Sequence, residues 1–147
     1  MLLFTKAINT ISRCTMMYRS DHLQASGLSG YQVTYLLAIC RFPGISQEDI
    51  AKTIYVNKSN VTRQLVNLEE SGWIIRKTNE EDQRQIKVYP AEKALAILPK
   101  IRQIFGDWNE FITQDFTKEE KEQFANLLEK MSKKAQSYID QRNEGSL

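Results

Sequence analysis

Apolar residues recur every three or four positions over most of this chain and every second position over one stretch near its middle. From about Leu2 to Gln24, the residues Phe4, Ala7, Ile8, Ile11, Thr15 and Tyr18 share a helical face. "ASGLSG" breaks that helix. A second is expected from about Gly30, with Val33, Leu36, Leu37 and Cys40 on its apolar side, and "RFPG" ends it. "SQEDIAKTI" reads as a short helix. Its Ser46 and Asp49 are spaced like a capping box, with Asp in place of Glu, and Ile50, Ala51 and Ile54 are its apolar side. After the tight connection "YVN", a longer helix runs from about Lys58 to Ser71. Asn57 is its natural N-cap and Gly72 its terminator.

From Trp73 the period becomes two. "WIIRKT" and "QIKVYP" alternate apolar with polar residues, and the polar "NEEDQR" joins them as the tip of a β-hairpin. The rest is helical again. Leu95, Leu98, Ile101, Phe105, Trp108 and Ile112 form one stripe, with Pro99 inside it predicting a kink or a restart. Thr117 and Glu120 form a clearer capping box. It opens a last helix with Phe124, Leu127, Leu128, Met131, Ala135 and Tyr138 in line, and "QRNEGSL" reads as a frayed end.

With 147 residues, 41% hydrophobic and 26% charged, the chain fits one globular domain, or two closely fused pieces, with a real core. The net charge of +2 is small, so any basic site must come from local clustering. Two cysteines are too few for a disulfide framework and fit a reduced, cytoplasmic setting. No apolar run approaches the ~20 residues of a membrane span, and the start lacks the marks of a signal peptide. There is no phosphate-binding glycine loop and no nucleophile–base signature, so no enzyme is expected. His22 is the lone histidine and follows Asp21, but adjacent helical residues do not face each other. No Cys/His cluster has ligand spacing, so neither metal nor cofactor is expected.

The helix from Lys58 carries the most unusual pattern. At ~100° per residue, Val61, Leu65 and Leu68 lie within about 40° of one direction and form a buried stripe. The opposite face holds Ser59, Arg63, Val66 and Glu70, with Asn60 and Asn67 at its shoulder. A helix face made only for solvation is usually Lys and Glu; Asn, Ser and Thr are poorer helix formers. Base edges in the DNA major groove present donors and acceptors that Asn, Arg, Ser and Thr can meet. A short capped helix, a tight turn and this helix make a helix-turn-helix, and the hairpin supplies a wing. In the wing, Arg76, Lys77, Arg84 and Lys87 bring positive charge, and Arg84 at the tip suits a minor groove. Asp82 is expected to hold Arg84 in its docking pose through a charge-assisted hydrogen bond. Ser46 and Gln47 are placed to donate to phosphate at a helix start.

The run "NKSNVTRQLVNLEESGWIIRKTNEEDQRQIKVY" resembles the multiple-antibiotic-resistance regulator (MarR) family. The matching marks are "SNVTR", "LEESGWI" and the Asp-x-Arg of "EEDQR", with two helices before and two after. Trp73 stands where Leu is usual, and "VYPAEKA" replaces a Leu-Thr-x-x-Gly type turn. The resemblance implies a mainly α (α+β) fold over residues 1–147. It comprises a winged helix-turn-helix lobe over 30–90 with a two-stranded wing, and dimerisation helices over 1–24 and 91–141. It implies a homodimeric regulator, most often a repressor, on a pseudo-palindromic double-stranded DNA operator. Ser59, Asn60, Thr62 and Arg63 match the family's reading helix, with Lys58 and Asn67 as further candidates on it; Arg84 matches the wing-tip arginine and Asp82 its partner, with Arg76, Lys77 and Lys87 as further candidates in the wing.

Many members of the family release DNA when a small, often aromatic, effector binds. Tyr18, Tyr31, Tyr35 and Trp108 are candidates to line that cleft, or else belong to the core. Cys14, one turn before Tyr18, matches the position of the reactive cysteine in the peroxide-sensing branch, or else is structural. A redox sensor on this scaffold and a winged helix that binds protein rather than DNA are the alternative functions.

Overall fold

The structure, a computed structural model, describes residues 1–145 as six α-helices and a small antiparallel sheet. The last two residues of "QRNEGSL" lie outside the described residues. Two compact units are separable, Met1–Trp108 and the segment from Asn109 onward. The boundary lies between Trp108 and Asn109. It falls within a helix, and the first helix and most of the fifth pack with the winged lobe.

In the first unit, α1 spans Phe4–Leu23 and ends in a short 3-10 turn, Gln24–Ser26. α2 spans Gly30–Arg41. Its start is a full capping box hidden in "SGYQ". Ser29 Oγ accepts from the Gln32 amide at 3.2 Å, and Gln32 Oε1 accepts from the Ser29 amide at 2.9 Å. Gly30 lies where α2 crosses α1. A Cβ there would come 2.4 Å from the Met16 carbonyl oxygen, so only glycine permits this approach.

β1 (Ile45–Ser46) leads into α3 (Gln47–Ile54), and α4 runs Lys58–Glu70. β2 (Ile74–Thr78) and β3 (Ile86–Pro90) form the hairpin, and the sheet order is β1-β3-β2. The expected two-stranded wing therefore gains a third strand, paired Ile45↔Val88 and Ser46↔Lys87. A two-residue strand offers no alternation to detect. Gly44, at φ +87°, turns the chain so that its amide donates to the Val88 carbonyl at 2.8 Å.

Val61, Leu65 and Leu68 are fully buried, as their spacing requires, with Leu23, Leu36, Ile39, Ile50, Val88 and Ile101 around them. Gly72, at φ +78°, ends α4 and lets Trp73 fold back, its amide donating to the Leu68 carbonyl at 2.9 Å. Asn57 does not cap α4 with its side chain. Its carbonyl instead accepts from the Asn60 and Val61 amides. The turn between α3 and α4 passes through Tyr55 in the left-handed region, at φ 57°.

α5 (Glu92–Ile112) runs through Pro99 without the expected restart. The carbonyl deprived of its donor is that of Leu95, an exposed residue that water can serve. Its buried side is Ala94, Ile101 and Ile104. Leu95 and Ile112, from the expected stripe, are exposed. In the second unit, the Thr117–Glu120 capping box forms as expected and opens α6 (Lys118–Asn143). Phe116 meets Phe124 edge-on at 5.5 Å, and Lys121 pairs with Glu110 at 3.2 Å. No described residue of α6 is buried, and Phe124, Leu127, Leu128, Met131 and Tyr138 are exposed. Among the described residues, no helix is long and apolar enough to cross a membrane, and no His/Cys/Asp/Glu group could hold a metal.

Candidate nucleic-acid interface

α4 buries one stripe and leaves the other face open. Lys58, Ser59, Thr62, Arg63 and Asn67 are exposed and Asn60 is half-buried. The face is internally arranged. Arg63 Nη2 donates to Asn60 Oδ1 one turn back, so the two side chains lie together on this face. Thr62 donates its hydroxyl to the Lys58 carbonyl at 3.2 Å and keeps its oxygen free to accept. Lys58 lies 3.9 Å from Glu48 on α3, an exposed pair worth little to stability.

Behind this face stands Tyr35, a buried residue of α2. Burial raises its hydroxyl pKa, and the positive charge of Arg63 opposes that rise. Tyr35 thus belongs to the core that backs α4.

The wing divides its charges by strand alternation. Lys77 and Lys87 are register partners directly across β2 and β3. Like charges so placed repel, and an anionic partner would relieve them. Lys77 Nζ lies 5.4 Å from the centre of the Tyr89 ring, which steadies it from below. Arg76 points to the other face, where its guanidinium and backbone amide both bond to Glu69 of α4, at 3.0 and 3.2 Å.

At the tip, Asp82 Oδ1 accepts from the backbone amide of Arg84 at 3.0 Å. The expected bond from Asp82 to the guanidinium is replaced by this main-chain one, because an Asp side chain closes a two-residue turn readily. Asn79 and Gln85 close the loop base through side-chain and backbone bonds of 2.9 Å.

The expected residues are not all in one place. Ser46 is buried, and its hydroxyl caps α3 by accepting from the Asp49 amide at 3.1 Å. Gln47 is half-buried, and its Oε1 has no hydrogen-bond partner. Asn67 lines an open polar groove of about 620 Å³, together with Gln64, Gln32 and Asp21.

Of the four aromatic residues, Tyr18 and Trp108 stack at 4.6 Å, and Trp108 Nε1 donates to Thr15 Oγ1 at 2.8 Å. Tyr31 is exposed and Tyr35 is core. Cys14 is exposed, and burial raises the pKa of the half-buried Cys40 thiol.

Residues 26–85 match the MarR family. An HTH-type transcriptional regulator of Bacillus subtilis, YybA, is 30% identical over 128 residues, 87% of this chain and 85% of its own length. The chain belongs to the MarR family. A MarR protein from Peptoclostridium difficile has a structure with a TM-score of 0.86 at 28% identity, covering 94% of each chain. A MarR-family regulator from Listeria monocytogenes, solved in complex with a 26mer DNA, has a TM-score of 0.87. Its 24% identity covers 99% of this chain and 97% of that one, and the likeness bears on the fold.

Within the MarR scaffold, sequence reasoning missed Glu69. It sits among the glutamates of "LEESGW", and nothing in the spacing tells which of Glu69 and Glu70 faces the wing. Glu69 follows the buried Leu68 and Glu70 lies opposite Val61, but neither position points to a partner on β2. Asn60 and Arg63, three apart on a helix, carried a readable signal for their bond.

Proposed function

We propose that this MarR-family regulator binds a specific pseudo-palindromic operator as a homodimer, represses there, and is released by a small aromatic effector. The observation that carries the reading is the exposed face of α4. Its amides, hydroxyls and the Asn60-bonded Arg63 stand beside a wing whose Lys77, Lys87 and Arg84 are placed to meet phosphate or a minor groove.

The dimer is supported by apolar side chains that one chain leaves bare. They are Phe4 and Ile11 on α1, and Leu127, Leu128 and Met131 on α6. A two-fold assembly would set two reading helices about one DNA turn, ~34–36 Å, apart. The effector is supported by the Tyr18–Trp108 stack and by Arg19 beside it on α1. Arg19 lies 3.7 Å over the Phe105 ring, its Nε is buried without a partner, and burial lowers its pKa. Ring faces next to an under-bonded guanidinium suit an aromatic anion.

The test is fluorescence anisotropy at physiological salt, with DNA taken from a random-sequence selection and a scrambled control. Wild type should prefer the selected DNA by at least ~10³-fold. Arg63→Ala should weaken binding and relax base preference, by ~1–3 kcal/mol for a bidentate guanine contact. Arg84→Ala should weaken binding mainly at A·T-rich flanks. Weak and equal binding to every sequence would hand the α4 face to a protein partner instead.

A further inference from the structure

The strand that carries the wing is tied back to the helix that carries the reading face. β2 is an edge strand, since β3 lies between it and β1. An amide on a strand's free edge needs a partner from outside the sheet. Arg76 finds one in Glu69. One carboxylate oxygen accepts from the Arg76 backbone amide at 3.2 Å, the other from its guanidinium at 3.0 Å. A single side chain of α4 therefore grips both the main chain and the side chain of one wing residue.

The grip is partly sheltered, with 23% of the Arg76 side chain and 39% of the Glu69 side chain exposed. The direct covalent link is three residues, Ser71, Gly72 and Trp73, and it turns through Gly72 at φ +78°. A second fastening lies on the other side. Lys93 of α5 donates to the Ser71 carbonyl, its Nζ 4.1 Å from the centre of the Trp73 ring.

We propose that Glu69 and Arg76 are positioning residues that lock the wing at one angle to α4, so that Arg84 and Arg63 reach adjacent grooves together. Neither needs to touch DNA. Arg76 is then withdrawn from the cationic set of the wing, and Lys77, Lys87 and Arg84 carry its charge to the phosphates. The guanidinium of Arg76 holds the Glu69 carboxyl below the ordinary carboxylate range, so the pair stays ionised at neutral pH. The proposal rests on the DNA-binding reading for its purpose, but the lock itself is independent of DNA.

The experiment has two arms on the full chain. In the first, Gln83 at the wing tip is replaced by a dye-labelled cysteine in a chain with Cys14→Ser and Cys40→Ser. Time-resolved anisotropy then reads local motion without DNA. The fast component should grow in Glu69→Ala and in Arg76→Ala, and no further in the double variant. An unchanged fast component overturns the lock, whatever the protein binds.

In the second arm, Arg84→Ala is measured on operator DNA in the wild-type and Glu69→Ala backgrounds, each at its measured folded fraction. On wild type the expected loss is about tenfold. On Glu69→Ala it should fall to about twofold or less, because a loose wing no longer delivers Arg84, while Arg63→Ala keeps its full effect. A purely structural role for Glu69 would leave the Arg84 factor equal in both backgrounds, and that result overturns the positioning role. Failure of wild type to prefer any sequence would remove the DNA-binding reading, leaving the first arm to decide the lock.

Discussion

Replacing Gly30 by alanine tests the tight crossing of α1 and α2. The added Cβ would lie 2.4 Å from the Met16 carbonyl oxygen, against a floor of 3.0 Å for ordinary Cβ contacts. α1 and α2 must then part by at least about 0.6 Å. Overpacking of this size costs typically 1–3 kcal/mol. The Gly30 amide also donates to Ser20 Oγ at 2.7 Å, a bond that stretches as the helices separate. Gly30 is the first residue of α2, so alanine recovers little of its helix-propensity advantage there. A destabilisation of about 2–3 kcal/mol follows, or roughly 5–10 °C in Tm for a chain of this size. The assay is thermal and urea unfolding by circular dichroism at one fixed protein concentration, since dimerisation would make Tm concentration-dependent. Ser20→Ala, which removes only the hydrogen bond, should cost about 1 kcal/mol. A Gly30→Ala protein as stable as wild type would refute the reasoning and mean the crossing is looser than its geometry indicates.

Thr117→Ala removes one half of a complete capping box and should cost about 0.5–2 kcal/mol, read by urea unfolding, with the loss concentrated in α6 helicity. Glu69 is a carboxyl whose folded pKa is depressed, so its stabilising contribution is full above its unfolded pKa and disappears as pH falls through the folded value. The stability gap between wild type and Glu69→Gln should thus be constant near neutrality and close below the ordinary carboxylate range; a gap that persists at the acid end would contradict the ion pair. Lys77→Ala and Lys87→Ala should each lower the slope of log affinity against log salt by about 1 if both neutralise phosphate. An unchanged slope would place these lysines off the DNA.

Local rules explain what was legible from the residues. Val61, Leu65 and Leu68 repeat at helical spacing and are buried together. Gly72 ends α4 because the chain needs a positive φ there. Thr117 and Glu120 cap α6 because their reach spans a single turn. Contacts whose partners are remote were not legible. β1 is two residues long and exists only because β3 lies beside it. Asn57 has the residue type of an N-cap yet leaves the task to its carbonyl. The stripe on α6 announced an apolar face, but periodicity reports that a face wants a partner and not which molecule supplies it. At the candidate site, the α4 face could be read from composition. The tie between Glu69 and Arg76 could not, because it crosses from a helix to a strand.

The closed turn at the wing tip bears on kinetics. Asp82 holds the Arg84 amide, and Asn79 and Gln85 shut the base of the loop, so the segment is already shaped before it meets a partner. A loop ordered in advance loses less conformational freedom on docking. Loosening it by Asp82→Ala would therefore leave encounter with DNA nearly as fast, while complexes that form would dissociate sooner. Residence time on the operator, more than the speed of arrival, would be the property this small turn sets.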